Sequence, residues 1–188
     1  MIAIESFKKF RTKDIITILT LSGIWFLINT IINKFLGMQT GFAVTIITAT
    51  TLMSFTVLLV RKAGTSSLFY LIGGILNWKI DTLGATGLNQ LISLAVAGII
   101  FELVFLILKL EIKSVQIDIL TGTAISAATI PITNALLLSP IIAKNMMIAL
   151  INITLIGFFS GLIGGVISFL IWHSIRNTKF ILNFEYKY

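Results

Sequence analysis

Few residues of this sequence have the chemistry for a reaction or for specific binding, and Glu102 is the first of them. It is the one acidic residue deep inside a long apolar run, Leu88–Leu108. A charge at membrane depth costs about 2.5–3.5 kcal/mol on insertion scales. A carboxyl there turns inward and is held by something: a polar or cationic ligand, a basic group, or another helix. Ala95, Gly98 and Phe105 share its helical face and leave room for a second helix to approach. A ligand contact would show as weaker binding in Glu102→Gln, and a structural role as lower thermal stability.

Amides form a second set. Asn29, Asn77, Asn89, Gln90, Asn134, Asn145 and Asn152 all fall toward one end of the apolar segments, with Trp78 beside Asn77. Apolar walls, a few amides and a flat aromatic are the makings of a small-molecule site. The same residues also suit helix ends and, for Trp78, the aromatic belt at a membrane surface. The stretch Gly37-Met38-Gln39-Thr40-Gly41 reads as a loop flexible enough to act as a lid over that end. Gly157, Gly161 and Gly165 recur every four residues, a spacing for close helix packing. The surface they make serves packing within the chain or a substrate or partner surface.

Other chemistry is excluded or unsupported. Cysteine is absent, and His173 is the single histidine. Thiolate metal sites and multi-imidazole metal sites within one chain are therefore ruled out. There is no paired-carboxylate motif, no plausible Ser/His/Asp set and no phosphate-binding Walker sequence. The sequence predicts no enzyme, no cofactor and no metal; ATP-driven work would need partner subunits.

These residues must be positioned by membrane helices. Of 188 residues, 57% are hydrophobic and only 11% are charged, too few to cover a soluble surface. A bilayer needs about 20 apolar residues per crossing helix. The apolar runs predict an all-α, six-helix membrane bundle in a single domain spanning residues 1–188. The expected helices are 15–32, 42–60, 65–78, 88–108, 117–138 and 146–172. The runs are continuously apolar and do not alternate as barrel strands do. The 65–78 segment is short; without it five helices would put the C-terminus on the opposite side. The strings Leu71-Ile72-Gly73-Gly74-Ile75 and Leu162-Ile163-Gly164-Gly165-Val166 echo each other. An inverted repeat of three helices per half would give this, and so would chance in an apolar chain.

The net charge of +7 is explained by orientation, not by nucleic acid. With the N-terminus inside, Lys8, Lys9, Arg11, Lys13, Arg61, Lys62, Lys109, Lys113, Arg176, Lys179 and Lys187 fall on the inner side. Lys34, Lys79 and Lys144 fall outside, which accounts for all 14 Lys and Arg. Such a bias orients short-looped membrane proteins and places both termini in the cytoplasm. The basic N-terminal segment lacks a small-residue cleavage site and reads as the flank of a retained first helix.

The residues Phe10–Ile15 (FRTKDI), Arg61–Gly64 (RKAG), Gly98–Phe105 (GIIFELVF) and Ser160–Gly165 (SGLIGG), with the size and layout, resemble a known family. The chain is similar to the substrate-binding membrane subunits, or S components, of energy-coupling-factor vitamin transporters, and within them to the thiamine/hydroxymethylpyrimidine branch. The resemblance implies a vitamin-like substrate, a coupling transmembrane subunit and two cytoplasmic ATPase subunits, in a prokaryotic plasma membrane. It implies that the loop Gly37–Gly41 is the lid. It implies a substrate-binding role for Glu102 and coupling-subunit contact through helix one, at Ser22 and Gly23; with the amides and aromatic residues above, the candidate substrate-binding set is Glu102, Trp78, Asn77, Tyr70, Gln39, Asn134 and Asn152. The sequence departs from the branch in two places. An alanine pair on helix one reads Leu19 and Gly23, and acidic positions on helix three read Tyr70 and Asn77. Two other functions fit the composition: a membrane scaffold or assembly subunit, and a proton-coupled carrier using Glu102.

Overall fold

In hydrocarbon every backbone polar group must be satisfied within the chain, which leaves helices as the available element for such runs. The computed structural model describes residues 9–81, 83–108, 111–112, 115–138, 144–176 and 178. Its helices are α1 (Thr12–Phe35), α2 (Met38–Val60), α3 (Thr65–Leu76), α4 (Gly87–Leu108), α5 (Ile117–Leu138) and α6 (Lys144–Ile175). A two-residue antiparallel pairing, β1 (Glu111–Ile112) with β2 (Val115–Gln116), joins α4 to α5. Five of the helices are long and apolar enough to cross a membrane. The exception is α3, whose 12 residues reach about 18 Å.

The six expected segments are all helical, and their ends shift for identifiable reasons. Helix α1 begins at Thr12, three residues early, because the Asp14 carboxylate accepts the Arg11 N–H (2.7 Å) and closes the first turn. Helix α2 begins at Met38, and this corrects the lid expectation. Gly37 is its N-cap and accepts the Gly41 N–H (2.7 Å), so most of the supposed loop is the first turn of a helix. The connection between α1 and α2 is only Leu36 and Gly37. Helix α3 stops at Leu76, two residues early. Asn77 takes its carbonyl at Gly73 with both its backbone N–H (2.9 Å) and its side-chain Nδ2 (2.8 Å), and Asn77–Lys79 turn.

The helices pack in the circular order α1, α2, α6, α5, α4, α3 and back to α1. Lipid offers no hydrophobic drive for helix association, so close approach at small residues does the work. Gly157, Gly161 and Gly165 lie against α5. An added Cβ would stand 2.9 Å from the Ala127 carbonyl at Gly157 and 2.5 Å from the Thr123 carbonyl at Gly161. The Ala127 oxygen is free to face α6 because Pro131, four residues on, has no N–H to give it. Both Gly-Gly pairs separate two neighbours. Gly73 lies under the Trp25 ring of α1 and Gly74 against Leu91 and Leu94 of α4. Gly164 meets Thr50 of α2, and Gly165 meets Thr123 and Leu120 of α5.

Burial is inverted relative to a water-soluble protein. On α1 the buried stripe is Asp14, Ile18, Ser22, Trp25, Asn29 and Ile32, while Ile16, Leu19, Leu27 and Ile31 face outward. Hydroxyls of α2 satisfy themselves on their own helix: Thr50, Thr51 and Ser54 donate to carbonyls four residues back (each 2.7 Å).

Two contacts fix where the described chain starts and finishes. The Lys62 ammonium, in the α2–α3 turn, pairs with Asp14 (2.5 Å) and donates to the Lys9 carbonyl (2.7 Å). The Arg61 guanidinium lies 5.3 Å from the centroid of the Trp172 ring near the end of α6. The start of α1, the α2–α3 turn and the end of α6 therefore share one end of the bundle, the terminal end. The opposite end is the far end.

Candidate functional site

The interior of the far half is polar, and most of its groups are spent on holding helices together. Asn29 of α1 donates to Asn77 Oδ1 (2.8 Å) and accepts from Thr45 of α2 (2.9 Å). That chain ties α1, α2 and the end of α3. Asn134 of α5 donates to the Leu83 carbonyl (2.7 Å) and accepts from the Ser93 hydroxyl of α4. It anchors the α3–α4 connection to α5. Asn77 and Asn134 are thus buried and already engaged.

Other buried polar groups are not. Gln90, Tyr70 and Trp25 are each fully buried, and neither amide atom of Gln90, nor the Tyr70 hydroxyl, nor Trp25 Nε1 has a hydrogen-bond partner among the described residues. The Ser126 hydroxyl gives its own proton to the Ala97 carbonyl (2.8 Å), and its oxygen keeps lone pairs open to the nearby Tyr70 hydroxyl. Leaving a buried polar group unmade costs about 1–3 kcal/mol each. Gln90, a fully buried amide with both its atoms unused, is the feature that needs an explanation.

Helix register brings them to the middle of the bundle. Ser93 and Ala97 of α4 bond toward α5, and Leu91 and Leu94 pack on Gly74 of α3. Gln90 lies on the same helix between those two directions, one turn beyond Leu94. Tyr70 is one turn from Gly74 on α3 and meets Trp25 edge-on, with centroids 6.3 Å apart. Phe69 stacks on Trp25 at 5.7 Å. An aromatic cluster therefore lies deep in the bundle, with an open amide toward the far end.

Glu102 stands elsewhere. Its Oε1 accepts the Ser66 N–H (2.9 Å) and the Ser66 hydroxyl (2.8 Å) at the N-terminus of α3. There the carboxylate meets backbone donors that lack intrahelical partners and the positive end of the helix dipole. Twelve residues of helix, about 18 Å, separate it from Gln90. The small-residue face beside it is where α3 docks: a Cβ on Gly98 would lie 2.8 Å from the Ser67 Cα.

The remaining sequence candidates scatter. Trp78 is 43% exposed at the end of α3, and its carbonyl accepts the Gly87 N–H (3.0 Å). Asn152 is exposed on α6, facing out of the bundle. The side chain of Gln39 lies outside the described residues. Ser22 is fully buried and donates to the Phe69 carbonyl (3.3 Å), so it faces α3 and not an external partner. Gly23, beside it, has nothing within 4 Å of an added Cβ. Sequence reasoning had named Gln90 among the amides without singling it out, and had not named Trp25. Among the described residues no group of His, Asp and Glu is arranged to hold a metal. Comparison with protein-family models, with curated proteins and with solved structures gave no match.

Proposed function

We propose that this chain is a membrane-embedded binding subunit for a small molecule, serving an uptake transporter of the energy-coupling-factor type. The substrate is a vitamin or a related metabolite, thiamine or its pyrimidine precursor among them. A coupling membrane subunit and two cytoplasmic ATPases supply the energy. The observation that carries this reading is the pair of unpartnered buried side chains Gln90, with both amide atoms unused, and Trp25. A bundle built only to scaffold would gain stability by replacing them with apolar side chains. Six membrane segments, with the terminal end in the cytoplasm of a prokaryotic cell, complete the reading. Of the described Lys and Arg, Lys9, Arg11, Lys13, Arg61, Lys62 and Arg176 belong to that end and Lys34, Lys79 and Lys144 to the far end, a bias that supports the orientation. Glu102 is held at the N-terminus of α3, so its place favours a structural part over proton carriage.

The experiment is gentle purification of the full chain, followed by mass spectrometry of released small molecules and identification of copurifying subunits. A released metabolite together with an ATPase-containing complex is the expected result. A chain that yields no small molecule, binds none of a vitamin panel and copurifies only with partners lacking ATPases is a scaffold, and the proposal fails.

A further inference from the structure

We infer that the site takes an uncharged, planar molecule whose edge carries a hydrogen-bond donor and acceptor side by side, docked on the Gln90 amide; this rests on the binding reading above and narrows it, since thiamine itself, a fixed thiazolium cation, is excluded while its neutral pyrimidine precursor is not.

The amide of Gln90 offers an N–H donor and a carbonyl acceptor in one plane, and both are unused inside the bundle. One partner satisfies both at once only if it presents the complementary pair on a single edge. Carboxamides, lactams and amino-substituted nitrogen heterocycles do so, as when glutamine reads the edge of adenine. The donor and acceptor of the amide lie in one plane, so the edge that meets both is flat.

Neutrality follows from what surrounds the site. A buried charge needs a counter-charge and hydrogen bonds. Among the described residues of the far half, Lys34, Lys79 and Asp81 are exposed. Asp14 and Asp118 are buried but belong to the terminal end, and Glu102 is engaged by Ser66. No described charged side chain is placed to meet an ion beside Gln90.

The test uses the full chain in detergent and equilibrium dialysis with matched rings. These are nicotinamide against nicotinate and 1-methylnicotinamide, and uracil against orotate, alongside the molecule released on purification. The expected result is that the released molecule is uncharged, and that an uncharged ring binds at least about tenfold more tightly than its ionic counterpart. Gln90→Leu then weakens binding by about tenfold or more, as a lost pair of buried hydrogen bonds should. Its ligand-free unfolding temperature is equal to or above that of the parent, which separates a binding defect from misfolding. If an ionic molecule is released, or binds as well as the neutral ring while Gln90→Leu still impairs binding, the substrate class is wrong and the binding site stands. Unimpaired binding in Gln90→Leu removes the amide as the recognition element. If nothing is released and no ring binds, both this inference and the binding function fall.

Discussion

At the scale of single residues, polar side chains here divide into those that hold helices and those left open. Glu102 belongs to the first group. Glu102→Ala removes two charge-assisted hydrogen bonds at the start of α3, and the expected loss is about 1–3 kcal/mol of stability. A lower unfolding temperature in detergent, with small-molecule affinity changed by less than about twofold, is the expected pair of results. A large loss of affinity at unchanged stability would return Glu102 to the ligand. That a carboxyl at this depth must be held was legible from its position in the apolar run. Its partner was not, because Ser66 lies 36 residues away and only the docking of α3 on Gly98 brings it close. The amides show the same limit. Composition identified them as a set, but whether each was spent or free depended on tertiary partners such as Leu83, 51 residues from Asn134.

At the scale of elements, the apolar runs gave the segments and left the ends open. Helix ends are decided by a few polar contacts: Asp14 on the Arg11 N–H, Gly37 ahead of α2, Asn77 on the Gly73 carbonyl. All three are local, spanning four residues or fewer, but a basic, polar flank hides the first and apolar or small neighbours give the others no distinctive capping pattern. Glycine spacing on α6 was informative, since every-fourth-residue glycines mark a close crossing whatever the partner. Gly161→Val is expected to cost about 1–3 kcal/mol, because a side chain there overlaps Thr123 and Ala127 of α5. Thermal unfolding measures it. Gly23 gives the opposite expectation. With open space around it, Gly23→Leu leaves the unfolding temperature of the isolated chain unchanged. If α1 docks a coupling subunit through this face, the same variant reduces copurification of that subunit. Equal recovery would move the docking face elsewhere.

At the scale of the whole molecule, the fold is a closed circle of helices with an interior of apolar and polar residues together and aliphatic ones outside. That aliphatic exterior was readable from composition, because 57% hydrophobic residues cannot be hidden in a chain of this size. The circular order was not readable, since α2 and α6 are neighbours across more than a hundred residues, joined for instance by Thr51 on the Gly164 carbonyl (3.2 Å). Orientation is a matter of charge. A C-terminal reporter that works only in the cytoplasm is expected to be active, and an alkaline-phosphatase fusion at the same point inactive. The reverse pattern would invert the bundle and, with it, the assignment of the far end to the exterior.

The two-residue hinge between α1 and α2, Leu36 and Gly37, has a kinetic consequence. So short a hinge has no flap to swing aside, so a molecule bound at Gln90, as proposed above, would pass this corner only when α1 and α2 themselves part. Admission and escape there would then be paced by breathing of the helix ring, with residence time set by interhelical glue such as the Asn29–Thr45 bond.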